Sequence, residues 1–142
     1  RQTGRYGMVV PRFVQSALKN EPITIYGDGN QTRCFAHVYD VIEAVISIAF
    51  TDNTVGKVIN IGNDFEISIN GLAQKIIAET GSMSKIVYVP YEEAYGDGFE
   101  DMERRVPNID LINELVGWKP KRDLTTMITD ISTEMKKVLK EK

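Results

Sequence analysis

Two short stretches set arginine beside turn-forming and aromatic residues. They are TIYGDGNQTRCF, Thr24 to Phe35, with Arg33, and EDMERRVPNI, Glu100 to Ile109, with Arg104 and Arg105. A guanidinium meets phosphate as a planar two-toothed fork, so two arginines from separate segments are able to clamp a diphosphate between them. The same side chains would equally pair with Asp28, Glu100, Asp101 or Glu103 on the surface, and both readings stand at this level. In PITIYG the strand edge offers backbone donors and acceptors to a flat polar ring at Thr24. Tyr26 is placed either to cover the face of such a ring or to pack in a core.

Other chemistries lack their parts. The GDG at 27–29 and the GDG at 96–98 are lone fragments without the third glycine and helix of a dinucleotide fingerprint, GRYG at 4–7 has no strand before it, and no P-loop Lys-Ser/Thr pair exists. His37 is the only histidine, so a histidine-type zinc site is excluded and a Ser-His-Asp triad would rest on it alone. A structural role for His37 is expected, and Asp40, three residues on, is explained by a helix start. Glu92, Glu93, Glu100, Asp101 and Glu103 read as solvated surface rather than as paired acid and base. No complete catalytic set assembles.

These residues need a frame to hold them. The 142 residues suit one domain, and 42% hydrophobic with 26% charged residues is an ordinary globular balance. A net charge of -3 gives no overall pull toward nucleic acid, no apolar run reaches membrane-spanning length, and the single Cys34 with no opening signal segment points to the cytoplasm. A first residue of Arg1 in a polar run suggests a piece of a longer chain.

Val10, Phe13, Val14, Ala17 and Leu18 predict a helix over Met8 to Leu18 with that face buried, and Val41, Ile42, Val45, Ile46 and Ala49 repeat the helical period over Asp40 to Phe50. ITIY followed by GDGN predicts a strand and a hairpin turn, and KVINIG, Lys57 to Gly62, predicts a buried strand. Ser68 caps a predicted helix with Ile69, Leu72, Ala73, Ile76 and Ile77 on one face, ended by Gly81. KIVYVP predicts a strand and YEEAYGDGFEDMERR a long loop. IDLINELVGW predicts a short helix stopped by Gly117, and a final helix starts near Leu124. Alternating helices and short strands give an α/β class, in the form of a small α+β-like domain.

Taken jointly, QTRCF, HVYD, VINIGN, RRVPNID and LVGWKPK make the chain, from Arg1 to about Leu124, resemble the C-terminal substrate-binding portion of extended short-chain dehydrogenases: nucleotide-sugar epimerases, dehydratases and decarboxylases. In that family an N-terminal Rossmann domain carries NAD and a Tyr-x-x-x-Lys pair. No tyrosine here has lysine four residues on. The resemblance therefore implies 1–142 to be a nucleotide-sugar-binding domain lacking its Rossmann half and inactive alone, with NAD bound by that missing half. It further implies that Thr24 and Tyr26 flank a uracil or other base, Arg33 and Arg105 grip the diphosphate with Arg104 as rival, Gln31 approaches the ribose, and Val9 and Val10 line the pocket. Arg1 matches the end of a GPR motif, and His37 and Asp40 support a hinge between domains.

The reaction expected first is UDP-sugar 4-epimerisation of the UDP-glucose type. UDP-glucuronate decarboxylation and dTDP-sugar 4,6-dehydration are its alternatives, and a stand-alone nucleotide-sugar or protein binding module is the reading from another class. A purely structural reading makes GDGNQTR a hairpin only. Helices facing an absent domain would expose apolar surface, from which self-association into a homo-oligomer is expected.

Overall fold

The computed structural model describes residues 8–95 and 101–140, so Arg1, GRYG at 4–7, GDG at 96–98 and Glu100 lie outside the described residues. Helix α1, Val9–Leu18, buries Val10, Phe13, Val14 and Ala17, as its three-and-four spacing requires. Helix α3, Ile69–Thr80, begins where the Ser68 hydroxyl accepts from the Gly71 N–H and ends at Gly81 with φ +64°. That serine cap is worth about 1 kcal/mol. Helix α6, Leu124–Lys140, closes over both. Between these helices lies strand β1, Ile23–Tyr26, whose Ile23 and Ile25 point inward while Thr24 and Tyr26 point toward the opposite side. Together they form the main core around Phe13, Leu72, Ile76 and Ile128.

The strands fall into two small sheets. β1 pairs in parallel with β4, Ile86–Val89, from Ile23 opposite Ile86 to Tyr26 opposite Val89. The second sheet centres on β2, Thr32–Cys34. β3, Glu66–Ser68, runs antiparallel on one side of it and β5, Arg104–Arg105, parallel on the other. This is the small α/β unit expected from the alternating elements.

Three expectations change. The GDGN turn does not make a hairpin, because β1 and β2 belong to different sheets. Gly27 and Gly29 both take φ +74°, and the Asp28 carboxylate accepts from the Asn30 N–H at 2.9 Å. The turn's carbonyls then go to α3 instead of a partner strand: Asn70 Nδ2 donates to Asp28 O at 2.9 Å and the Asn70 N–H to Gly29 O at 3.0 Å. KVINIG is no strand, and Val58 is 93% exposed. Ile59 and Ile61 instead pack on a second core of Ala44, Ile112 and Trp118. Helix α2, Val38–Ala49, buries Asp40 and Ala44, while Ile42, Val45 and Ile46 are exposed. This helix has two apolar sides, and the second core takes the one with Ala44 and Ile48. Finally, the expected long loop holds helix α4, Tyr91–Tyr95, and strand β5, the latter formed only through its pairing with β2. Helix α5, Asp110–Val116, ends as expected at Gly117, φ +67°.

Gly27 is where the turn is least tolerant. A Cβ there would run into the Tyr91 ring, and its φ lies in the left-handed region. Gly27→Ala is expected to destabilise the chain by about 1–2 kcal/mol, read as a lowered midpoint in urea, whereas the same change at Gly56, which has open space, carries only the backbone part.

Candidate functional site

The turn after β1 delivers Gln31 and β2 to the same side as Tyr26, and helical spacing places Val9, Arg12 and Phe13 on the face of α1 turned toward them. Around these side chains lies a cavity of about 310 Å³, also bounded by Arg33, Tyr91, Asp101 and Arg105. Of the residues singled out in the sequence, it gathers Val9, Tyr26, Gln31, Arg33 and Arg105. Val10, Thr24 and Arg104 do not line it.

Strand geometry explains the selection. In the parallel register Arg33 stands opposite Arg105 and Thr32 opposite Arg104. Side chains alternate along a strand, so Arg33 and Arg105 share one face and Arg104 takes the other. There Arg104 forms a bidentate pair with Glu66, its Nε at 3.0 Å from Oε1 and its Nη2 at 3.0 Å from Oε2. The guanidinium first, and the Thr32 hydroxyl second, hold the Glu66 carboxyl below its usual pKa, and Glu66 raises that of Arg104. Arg104 is thus spent on its own carboxylate. Val10, 4% exposed, faces the core because it lies one step round α1 from Val9.

The cavity has two chemically distinct ends. At one, Arg33 donates from Nη1 to the carbonyls of Thr32 and Met102, both at 2.7 Å, and from Nη2 to the Asp101 carboxylate at 2.6 Å. Arg105 is beside it, touching Met102 Sδ at 3.9 Å and making no ion pair among the described residues. At the other end Arg12 lies over the Tyr26 ring, 4.7 Å from its centroid, and its Nη2 donates to Thr24 O at 3.2 Å. The Thr24 carbonyl and one face of Tyr26, both expected to meet a base, are therefore met first by Arg12. Gln31 joins the two ends, donating from Nε2 to Tyr26 O at 3.1 Å and to Tyr91 Oη at 2.7 Å, while the Tyr91 hydroxyl reaches Asp101 at 3.3 Å.

Three guanidiniums against one carboxylate make this space electropositive in a chain of net charge -3. Charge gathered in this way attracts an anion locally, whatever the overall charge. Gly27 and Gly29 turn the chain from strand to strand, not into a helix, so they do not form a dinucleotide cradle. Among the described residues no group of three or more His, Cys, Asp or Glu side chains is placed to hold a metal, and no helix is long and apolar enough to cross a membrane.

His37 and Asp40 lie apart from the cavity and tie elements together. His37 caps α2 by accepting the Tyr39 N–H at its Nδ1, 3.2 Å, and its Nε2 meets Asp130 of α6 at 3.1 Å. Asp40, 1% exposed, accepts the N–H groups of Lys121 and Arg122 at 3.1 and 2.9 Å and pairs with the Arg122 guanidinium. Glu92, Glu93, Asp101 and Glu103 are exposed, as solvated carboxylates should be, although Asp101 reaches the cavity.

Sequence reasoning passed over Arg12, Phe13, Tyr91 and Asp101. Arg12 was legible, since it stands three residues after Val9 on one helix face. Asp101 was legible only as a surface partner for the arginines, which it is for Arg33, and Tyr91 carried no signal, because only the tertiary fold brings it to β2.

Known proteins resemble this chain along most of its length. Residues 2–131 match the family described as GDP-mannose 4,6 dehydratase. A UDP-N-acetyl-alpha-D-glucosaminuronate decarboxylase of Bacillus cytotoxicus is 44% identical over 117 residues, covering 82% of this chain and 36% of the relative. UDP-glucuronic acid decarboxylase 4 of Arabidopsis thaliana is 40% identical over 116 residues, covering 81% of this chain and 24% of the relative. Among solved structures, the UDP-glucose 4-epimerase of Thermotoga maritima with UDP-glucose superimposes with a TM-score of 0.83 at 27% identity, over 94% of this chain and 41% of that one. The chain spans between about a quarter and about a third of the length of the curated relatives it matches.

Proposed function

We propose, because this chain belongs to the GDP-mannose 4,6-dehydratase family of NAD-dependent nucleotide-sugar epimerases, decarboxylases and dehydratases, that it is the substrate-binding portion of such an enzyme and that the arginine-lined cavity holds the nucleoside diphosphate of a UDP-sugar. The observation carrying this reading is the cross-strand pairing of Arg33 with Arg105 on one wall of a cavity whose other wall is Tyr26 and Val9. Arg105 makes no ion pair among the described residues and stands opposite Arg33, whose fork is held by Asp101 and two carbonyls. A diphosphate takes the forked set of Arg105 and exchanges with Asp101 at Arg33. Binding of NAD belongs, in this reading, to the remaining length that the relatives possess.

For the reaction, decarboxylation of a UDP-uronic acid is favoured by the two relatives at 44% and 40% identity. Epimerisation at C4, the reaction expected first, is the second reading, favoured by the fold shared with the Thermotoga maritima enzyme. The chain by itself turns over neither substrate, since no Tyr-x-x-x-Lys pair stands in it.

In this reading the remaining length that the relatives possess supplies part of the site, so binding by this chain is weak. A titration with UDP followed by backbone amide NMR is expected to perturb residues of β2, β5 and the first turns of α1, with a Kd on the order of 1 mM, about 4 kcal/mol. Arg105→Ala is expected to weaken that binding by roughly tenfold, the loss of a charge-assisted pair. Shifts confined to the separate cavity near Phe35 and Lys121, or a submicromolar Kd, would overturn the assignment.

A further inference from the structure

The cavity's third arginine has no task in clamping a diphosphate. Arg33 and Arg105 stand together on adjacent strands, whereas Arg12 projects from α1 at the aromatic end, among Phe13 and Tyr26. It makes no ion pair among the described residues. Its plane is set by the Tyr26 ring beneath it and by the single bond from Nη2 to Thr24 O. A guanidinium has five N–H donors and no acceptor, so most of its donors remain for a ligand.

That inventory discriminates among flat heterocycles. At position 4 of a pyrimidine, a ring carbonyl oxygen, as in uracil or thymine, answers a donor-only plane. An exocyclic amine, as at C4 of cytosine, sets donor against donor and leaves buried polar groups unpaired. Resting on the reading that this cavity takes a nucleoside diphosphate, we infer that Arg12 is its base-reading residue, meeting position 4 of a pyrimidine and so selecting a carbonyl there over an amine. The diphosphate is left to Arg33 and Arg105.

UDP and CDP differ at the pyrimidine edge alone, and inorganic pyrophosphate reports the phosphate end without a base. NMR titrations with these three probes therefore separate the two ends. The native chain is expected to bind UDP about tenfold more tightly than CDP, the scale of one hydrogen bond to a charged group. Arg12→Met is expected to bring the two within about twofold while weakening pyrophosphate binding less than about threefold, the remainder being longer-range attraction. Arg12→Lys, which keeps charge on that wall but not the plane resting on Tyr26, serves if the methionine variant does not fold, and its preference is expected to fall by at least about threefold.

Retention of the native UDP:CDP ratio in the variants overturns the inference, as does an Arg12→Met loss of pyrophosphate binding equal to the loss of UDP binding, which would make Arg12 a phosphate ligand. Pyrophosphate binding by the native chain without preference for UDP over CDP overturns the inference alone. Absence of native binding to both UDP and pyrophosphate overturns the diphosphate reading of the cavity as well.

Discussion

Asp40→Ala is expected to lower the unfolding free energy by about 3 kcal/mol, the low end of the range for removing one partner of a buried ion pair, because Arg122 stays partly exposed. The Asp40 side chain is 1% exposed and meets Arg122 twice, at the guanidinium and at the backbone N–H, and Lys121 once. Its deletion strands those donors in the joint between α2 and the segment leading into α6. The Asp40 carbonyl accepts the Trp118 indole N–H at 3.1 Å, so the second core hangs on the same turn. Urea unfolding followed by Trp118 fluorescence measures the loss. Asp40→Asn should recover little of it, because the amide accepts with one oxygen where the carboxylate accepts with two and lacks the charge that faces Arg122. A loss under about 1 kcal/mol would show that the network is replaceable by water.

The same carboxylate sets a pH dependence. Burial acts to raise the Asp40 pKa, but the Arg122 N–H, the Arg122 side chain and the Lys121 N–H outweigh it and leave the pKa below its ordinary value. A folded pKa beneath the unfolded one means that the unfolded chain binds the proton first. The stabilisation is therefore complete above the unfolded aspartate value of about 3.9 and is lost as pH falls below it toward the folded value. Asp40→Ala should flatten that acid limb, so that native and variant stabilities converge at low pH.

Phe13→Ala should have an effect of the same order, about 3–5 kcal/mol, from lost apolar burial and the cavity left behind. Phe13 is 1% exposed in the main core, and α1 packs on both α3 and α6 around it. It also borders the arginine-lined cavity and carries Arg12 at 5.7 Å from its ring centroid. Stability and UDP binding should fall together in this variant. Ile77→Ala is the control, a half-buried residue packed on the same core away from the cavity. It should lose stability by a smaller amount and keep the native affinity for UDP. Equal loss of UDP binding in both variants would show that the site responds to core stability in general and not to α1.

Much of this molecule is written locally. The faces of α1 and α3, the Ser68 cap and the left-handed stops at Gly81 and Gly117 follow from spacing and from single-residue chemistry, because each depends on neighbours within a turn or two. The arginines and the polar turn around them were visible for the same reason. Whatever depended on a distant partner was not. The GDGN turn satisfies hairpin chemistry, yet its carbonyls are captured by Asn70, 42 residues beyond Asp28. KVINIG carries the composition of a strand without a strand beside it among the described residues, and α2 offers two apolar sides of which the second core covers the side bearing Ala44.

The choice between Arg104 and Arg105 shows the division most sharply. One position apart, they are alike as residues, and only the register of β5 against β2 turns the second into the cavity and the first toward Glu66. Residue types and local spacing determined by themselves that Arg33, Arg104 and Arg105 could bind an anion and that α1, α3 and α5 would be helices. Tertiary pairing decided which of those groups converge, since the parity of a strand is defined only by the partner it lies against.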